Sequence, residues 1–102
     1  MASSVIKKKG FGSTQTINPI DNQHPFTVPT DGIFTLSGEP TSGNATPIIR
    51  MTIERNGVTL KFGNGSSLGV PSSVTQPVLK GDIVGADYAY QASLIGYFTP
   101  IE

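Results

Sequence analysis

The sequence predicts a single all-β domain, a compact sandwich of short antiparallel strands preceded by an extended N-terminal arm. Three observations predict it. Glycine (12) and proline (8) make up about a fifth of the 102 residues and break the apolar runs into short pieces, a pattern of sandwiches and barrels rather than helix bundles. Ile49, Met51 and Ile53 alternate with Arg50, Thr52 and Glu54 and run into Asn56-Gly57, a half-buried strand entering a two-residue hairpin. Turn signals separate apolar runs at about 8–12-residue spacing, and no segment carries a helical period.

Residues 1–13 read as an arm. It has a polar start, the triplet Lys7-Lys8-Lys9, then Gly10-Phe11-Gly12-Ser13. The domain proper is residues 14–102. Residues 14–17 form a first strand, ended by Asn18-Pro19. Residues 21–25 are a loop. Phe26-Thr27-Val28 lies between Pro25 and Pro29, which confines it to an edge or a strand end. Thr30-Asp31-Gly32 is a turn. Residues 32–38 form a strand with Phe34 and Leu36 on one face and Ile33 and Thr35 on the other, and residues 39–46 form an exposed loop.

Residues 47–55 are the clearest strand. Asn56-Gly57 follows, suited to a type I′ turn because both central residues need positive φ. The return strand is residues 58–62, with Val58, Leu60 and Phe62 inward and Lys61 outward. Residues 63–67 read as a loop and 68–71 as an edge segment. Residues 73–79 form a strand that Pro77 places at an edge or bulge. Lys80-Gly81-Asp82 is a turn, residues 83–90 a strand, residues 91–93 a bulge or turn, and residues 92–99 the last strand, closed by Pro100.

Net charge is zero, but the lysine triplet holds three of the seven basic residues. Without it, four basic residues face seven acidic ones, a net of −3. The body therefore disfavours phosphate backbones, and three lysines are too few to hold nucleic acid. There is no cysteine, so no disulfide framework and no thiolate chemistry. Val5-Ile6 precedes the lysines, the reverse of a secretory leader, and no apolar run approaches the ~20 residues of a membrane span. The expectation is a soluble protein not exported by a classical route.

Candidate chemistry is sparse. His24 is the single histidine, and a nucleophilic triad would need Asp21 or Asp31 to orient it. One histidine and no cysteine cannot furnish a zinc site. Asp21, Asp31, Asp82 and Asp87, with Asn44 and Asn64, supply oxygens for calcium, but their spacing matches no calcium loop and local turn bonding explains each aspartate. No catalytic residue, metal or cofactor is assigned, and the chain reads as non-enzymatic. Tyr88 and Tyr90, two apart, share one strand face, suited to an interface or to stacking on a sugar. Asn44-Ala45-Thr46 and Asn64-Gly65-Ser66 match a glycosylation acceptor by chance, no leader preceding them. The lysine arm reads as a solvated tail, as a contact to an acidic partner subunit, or as a weak nucleic-acid contact; Phe11 between two glycines could anchor it on a neighbouring surface.

Three ordered segments carry a resemblance. They are Phe26-Thr27-Val28-Pro29-Thr30-Asp31-Gly32-Ile33-Phe34-Thr35-Leu36-Ser37, then Ile53-Glu54-Arg55-Asn56-Gly57-Val58, then Val78-Leu79-Lys80-Gly81-Asp82-Ile83-Val84 followed by Ile95-Gly96-Tyr97-Phe98. This order is similar to the globular-head jelly rolls of the complement and tumour-necrosis-factor-like class. It also resembles the small tip, head-fibre and decoration domains of bacteriophage particles. The chain lacks a collagen-like stalk, which favours the phage side. The resemblance implies a jelly-roll sandwich and a homotrimer, with Tyr97 and Phe98 near the three-fold axis beside Tyr88 and Tyr90. It further implies a structural virion component, a capsid decoration or a head-fibre or tail-fibre domain, assembled in the bacterial cytoplasm. Its partners would be other virion proteins, met through Lys7, Lys8, Lys9 and Phe11. The alternative is a carbohydrate- or receptor-binding module used in host attachment.

Overall fold

Alternation of apolar and polar residues forces the strands to bury one face each, and two sheets meet over that common face. A computed structural model describes residues 10–102. Its strands are β1 (Gln15–Ile17), β2 (Phe26–Thr27), β3 (Gly32–Pro40), β4 (Ile48–Arg55), β5 (Val58–Gly65), β6 (Ser72–Val78), β7 (Ile83–Tyr90) and β8 (Ala92–Pro100). They form two four-stranded sheets, in the orders β1-β8-β3-β6 and β2-β7-β4-β5. Every pairing is antiparallel.

The core lies between the sheets. Phe34 and Leu36 of β3, Val74 and Val78 of β6 and Phe98 of β8 meet Ile49, Met51 and Ile53 of β4 and Val84 and Ala86 of β7. Burying each large apolar side chain contributes about 1.5–3 kcal/mol. Phe26 sits across the seam, its ring 5.7 Å from Phe34 and 5.3 Å from Phe98. Gly96 makes room for this cluster, since a Cβ there would come within 2.6 Å of Phe34. Ile20, in the loop between β1 and β2, is also buried in the core.

The expected hairpin is present. Asn56 and Gly57 take φ of 53° and 77°, and β4 pairs with β5 from Arg55↔Val58 to Ile48↔Gly65. Its outgoing strand is longer than expected. Gly63, Asn64 and Gly65 belong to β5 rather than to a loop. Glycine weakens a strand for want of a side chain but keeps both backbone bonding groups; β4 is the strand these residues pair with, and the Gly65 amide donates to Asn64 Oδ1 at 2.9 Å. Val58 is 59 % exposed rather than inward, because it sits at the open end of an edge strand; Leu60 and Phe62 are half-buried. Residues 68–71 are a turn and not an edge strand up to Pro71, with Gly69 at φ 69°. β3 runs on to Pro40, past the expected end. Pro77 lies in β6, an edge strand, the kind of strand in which a sheet accepts proline.

Gln91, at φ 52°, is a one-residue corner between β7 and β8, which lie in different sheets. Its side-chain oxygen accepts from the Thr46 amide at 2.8 Å, tying the corner to the loop before β4. That corner, residues 41–47 and residues 66–71 together form one pole of the domain. At the other pole lie Asp31, Asn56-Gly57 and Lys80-Gly81. Residues 10–12 of the expected arm pair there with the last residues of the chain: the Gly10 amide donates to the Glu102 carbonyl at 3.0 Å, the Glu102 amide donates back to Gly10 at 2.7 Å, and Phe11 bridges Ile101. Phe11 itself is 70 % exposed. Lys7, Lys8 and Lys9 lie outside the described residues.

Candidate functional site

The outer face of the β2-β7-β4-β5 sheet carries the chain's concentrated chemistry, and a bulge organises it. β4 and β7 pair Met51 with Ala86 and Arg50 with Tyr88, so Asp87 has no partner opposite it. The extra residue shifts the alternation by one. Gly85 and Asp87 point outward before the shift, and Tyr88 and Tyr90 point outward after it, beside Arg50 and Ile48. Asp87 Oδ1 accepts from Arg50 Nε, and its Oδ2 lies 3.0 Å from Lys61 Nζ. Hydrogen bonding from Arg50, aided by Lys61, holds the Asp87 carboxyl below its ordinary value against the opposing effect of burial. The Arg50 guanidinium also lies 5.9 Å from the centre of the Tyr88 ring.

Tyr88 and Tyr90 are 45 % and 47 % exposed. Beyond Arg50 and Ile48 the next strand offers only Gly63 and Gly65, so no side chain rises over that side of the platform. Between Asp87 and the hairpin lies a concavity of about 470 Å³. Thr52 and Gly85 form its floor, Lys61 and Glu54 one side, Asn22 the other, and Asp87 its head. A second concavity of about 300 Å³ adjoins it, sharing Asn22 and Asp87 and bounded by Tyr88. The loop carrying Asn22 is fixed locally: Asp21 Oδ1 accepts from the Gln23 amide at 2.8 Å and the His24 amide at 2.7 Å.

The other expected residues fall elsewhere. His24 Nδ1 is 2.9 Å from Asp21 Oδ1, so the structure brings together that His–Asp pair on an exposed loop. The hydrogen bond from His24 lowers the Asp21 pKa. Asp31 instead accepts from the Lys80 amide at 2.9 Å, a contact between two turns. Asp82 takes Arg55 in both oxygens, at 2.9 and 2.6 Å, and also the Leu79 amide at 2.8 Å. Local turn bonding therefore accounts for Asp21 and, through the Leu79 amide, for part of Asp82; Asp82 and Asp87 also hold arginines across strands, and Asp31 bonds a turn distant in sequence. Among the described residues no three His, Asp or Glu side chains come together.

Tyr97 is half-buried on the outer face of the other sheet, opposite Thr16 and Thr35. Phe98 is 2 % exposed in the core, so its ring is not at the surface where a neighbouring protomer would meet it. Two adjacent residues of one strand point to opposite faces, and only Tyr97 faces out. Sequence reasoning placed Tyr88 and Tyr90 but missed Asn22, Thr52, Gly85 and Lys61. The signal available was Thr52 and Lys61 at outward positions of facing strands. Comparison with protein-family models, curated proteins and solved structures finds no match to the chain.

Proposed function

We propose that the chain is a jelly-roll module acting by assembly and surface presentation, a structural component of a phage-type particle such as a capsid decoration or a fibre domain. The observation that carries the reading is the set of strand pairings. A jelly roll is one long antiparallel hairpin wrapped into two sheets, so its strands pair first with last and inward from there. Here β1 pairs with β8, β2 with β7, β3 with β6 and β4 with β5. The wrap then sets β8 beside β3 and β7 beside β4. Such sandwiches serve as capsid and lectin domains. Residues 10–12 and 100–102 meet at one pole, with Phe11 exposed. Leu68 and Val70 stand 59 % and 46 % exposed at the other. That polarity suits a module held at one end and presenting the other.

The reading assigns no catalytic role, metal or cofactor, and it takes the working form to be a homotrimer, which covers exposed apolar side chains and edge strands. Sedimentation equilibrium tests it. The expected mass is three times the 10.7 kDa of one chain; a single-chain mass at high protein concentration overturns the trimer. A second reading, glycan or receptor binding, is favoured by one observation, the outward pair Tyr88 and Tyr90 on a face that Gly63 and Gly65 leave open.

A further inference from the structure

We propose that the uncharged pole of the domain docks on a lipid surface, with Leu68 and Val70 entering the headgroup boundary of a zwitterionic bilayer. The inference deepens the surface-presentation reading by naming what the free pole meets, and it rests on that reading for which end is free.

Charge is the first observation. Three connections meet at this pole: residues 41–47 between β3 and β4, residues 66–71 between β5 and β6, and Gln91 between β7 and β8. Residues 40–49, 62–79 and 88–101, which hold all three, contain no Asp, Glu, Lys or Arg. The turns of the opposite pole carry Asp31, Lys80 and Asp82. A charge brought against hydrocarbon is costly. The charges that flank the first of these segments are Glu39, on the outer face of the other sheet, and Arg50, which is paired with Asp87.

The exposed apolar side chains are the second. Leu68 and Val70 project from the loop between β5 and β6, and Ile48 and Tyr90, 42 % and 47 % exposed, form the last rung between β4 and β7. Tyrosine suits a lipid boundary, its ring apolar and its hydroxyl wet.

The backbone is the third. The Ser66 amide donates to the Pro47 carbonyl at 3.0 Å, the Gly69 amide to the Ala45 carbonyl at 2.7 Å and the Val70 amide to the Ser67 carbonyl at 3.1 Å. The Ser66 hydroxyl donates to the Val70 carbonyl at 2.6 Å, and Pro71 has no N–H to satisfy. Hydrocarbon supplies no hydrogen-bond partners, so backbone that nears it must be satisfied from within the protein. This loop turns its polar groups on its own neighbours and its apolar side chains outward.

A second copy of the chain fits these tips less well. The concavity over Thr52 is lined by Glu54, Lys61 and Asp87, its neighbour by Asp21 and Asp87, and the one at the opposite pole by Arg55, Lys80 and Asp82. Leu68 or Val70 seated in any of them would strip water from charged groups. A fluid bilayer needs no matching socket. An anionic headgroup finds no cation in these three connections, which favours a zwitterionic one.

The test is flotation of the full chain with phosphatidylcholine vesicles at low and high salt. The chain should float equally at both. Leu68→Ser and Val70→Ser should each weaken vesicle binding by about tenfold, and Val58→Ser, at an equally exposed position of the other pole, should not. Urea midpoints of all three should match the parent, so lost binding is not lost folding. Flotation by a chain of single-chain mass supports the lipid surface and fails the trimer alone. A trimer that does not float overturns the lipid surface and leaves the presenting reading standing. Flotation that needs phosphatidylserine and vanishes in high salt, or that Val58→Ser weakens as much as Leu68→Ser, also overturns it. So does a lower sedimentation mass for Leu68→Ser without lipid, which would make the pole a contact between copies.

Discussion

Asp82 shows how one side chain joins stability to pH. Its carboxylate is 2 % exposed and receives two guanidinium N–H groups of Arg55 and the amide of Leu79. The Arg55 hydrogen bonds, against the effect of burial and with help from Leu79, hold its pKa below the ordinary aspartate value. The folded chain therefore binds this proton less readily than the unfolded chain does. The resulting stabilisation is complete above the unfolded value and is lost as pH falls through the folded one. Urea midpoints should stay level from neutral pH to about pH 5 and decline below about pH 4; Asp82→Asn should flatten that acid limb. Asp82→Ala strands the Leu79 amide and should lower stability by about 1–3 kcal/mol. Asp87 acts in the same direction, but its cations are about half exposed, so its share is smaller.

Among the elements, the β4–β5 hairpin was the most legible, because its turn chemistry and its alternation agree. Gly57 at φ 77° has open space where a Cβ would go, so Gly57→Ala tests backbone conformation alone. It should cost roughly 1–2 kcal/mol by urea denaturation, with the native spectrum unchanged. Other features were hidden for physical reasons. Gly63 and Gly65 read as breakers, yet a glycine paired on one side only still serves an edge strand. The bulge at Asp87 left no mark, because an inserted residue looks like any other polar residue until its partner strand is known. That bulge sets Asp87 and Tyr88 on one face, and so most of the candidate site was invisible even though both tyrosines were placed on a shared face. Asn22 reaches the site from a loop far from β4 in sequence, and no periodicity reports such a contact. Phe98 was misassigned for the opposite reason: its strand was correct, but residue-by-residue alternation separates it from Tyr97.

For the whole molecule, alternation says which residues of a strand face inward but not which strands are neighbours. The all-β class was therefore legible, while the order of the two sheets was not. That order has a kinetic consequence. β1 at Gln15 pairs with β8 at Phe98, so the outermost pairing closes nearly the full chain, and such non-local topologies fold slowly. Stopped-flow refolding should give relaxation times of about milliseconds to seconds; a microsecond phase accounting for the whole amplitude would contradict this topology. The short ribbon of residues 10–12 against 100–102 bears on how the molecule meets mechanical tension. If residues 10 and 102 are drawn apart, the ribbon's bonds break one pair after another, and the opening continues between β1 and β8 like a zipper. If residue 102 is drawn away from the loop at Gly43, β8 is loaded along its length, and its bonds to both β1 and β3 share the force at once. The same hydrogen bonds thus make the domain weak to pulling at its two ends and stiff from pole to pole.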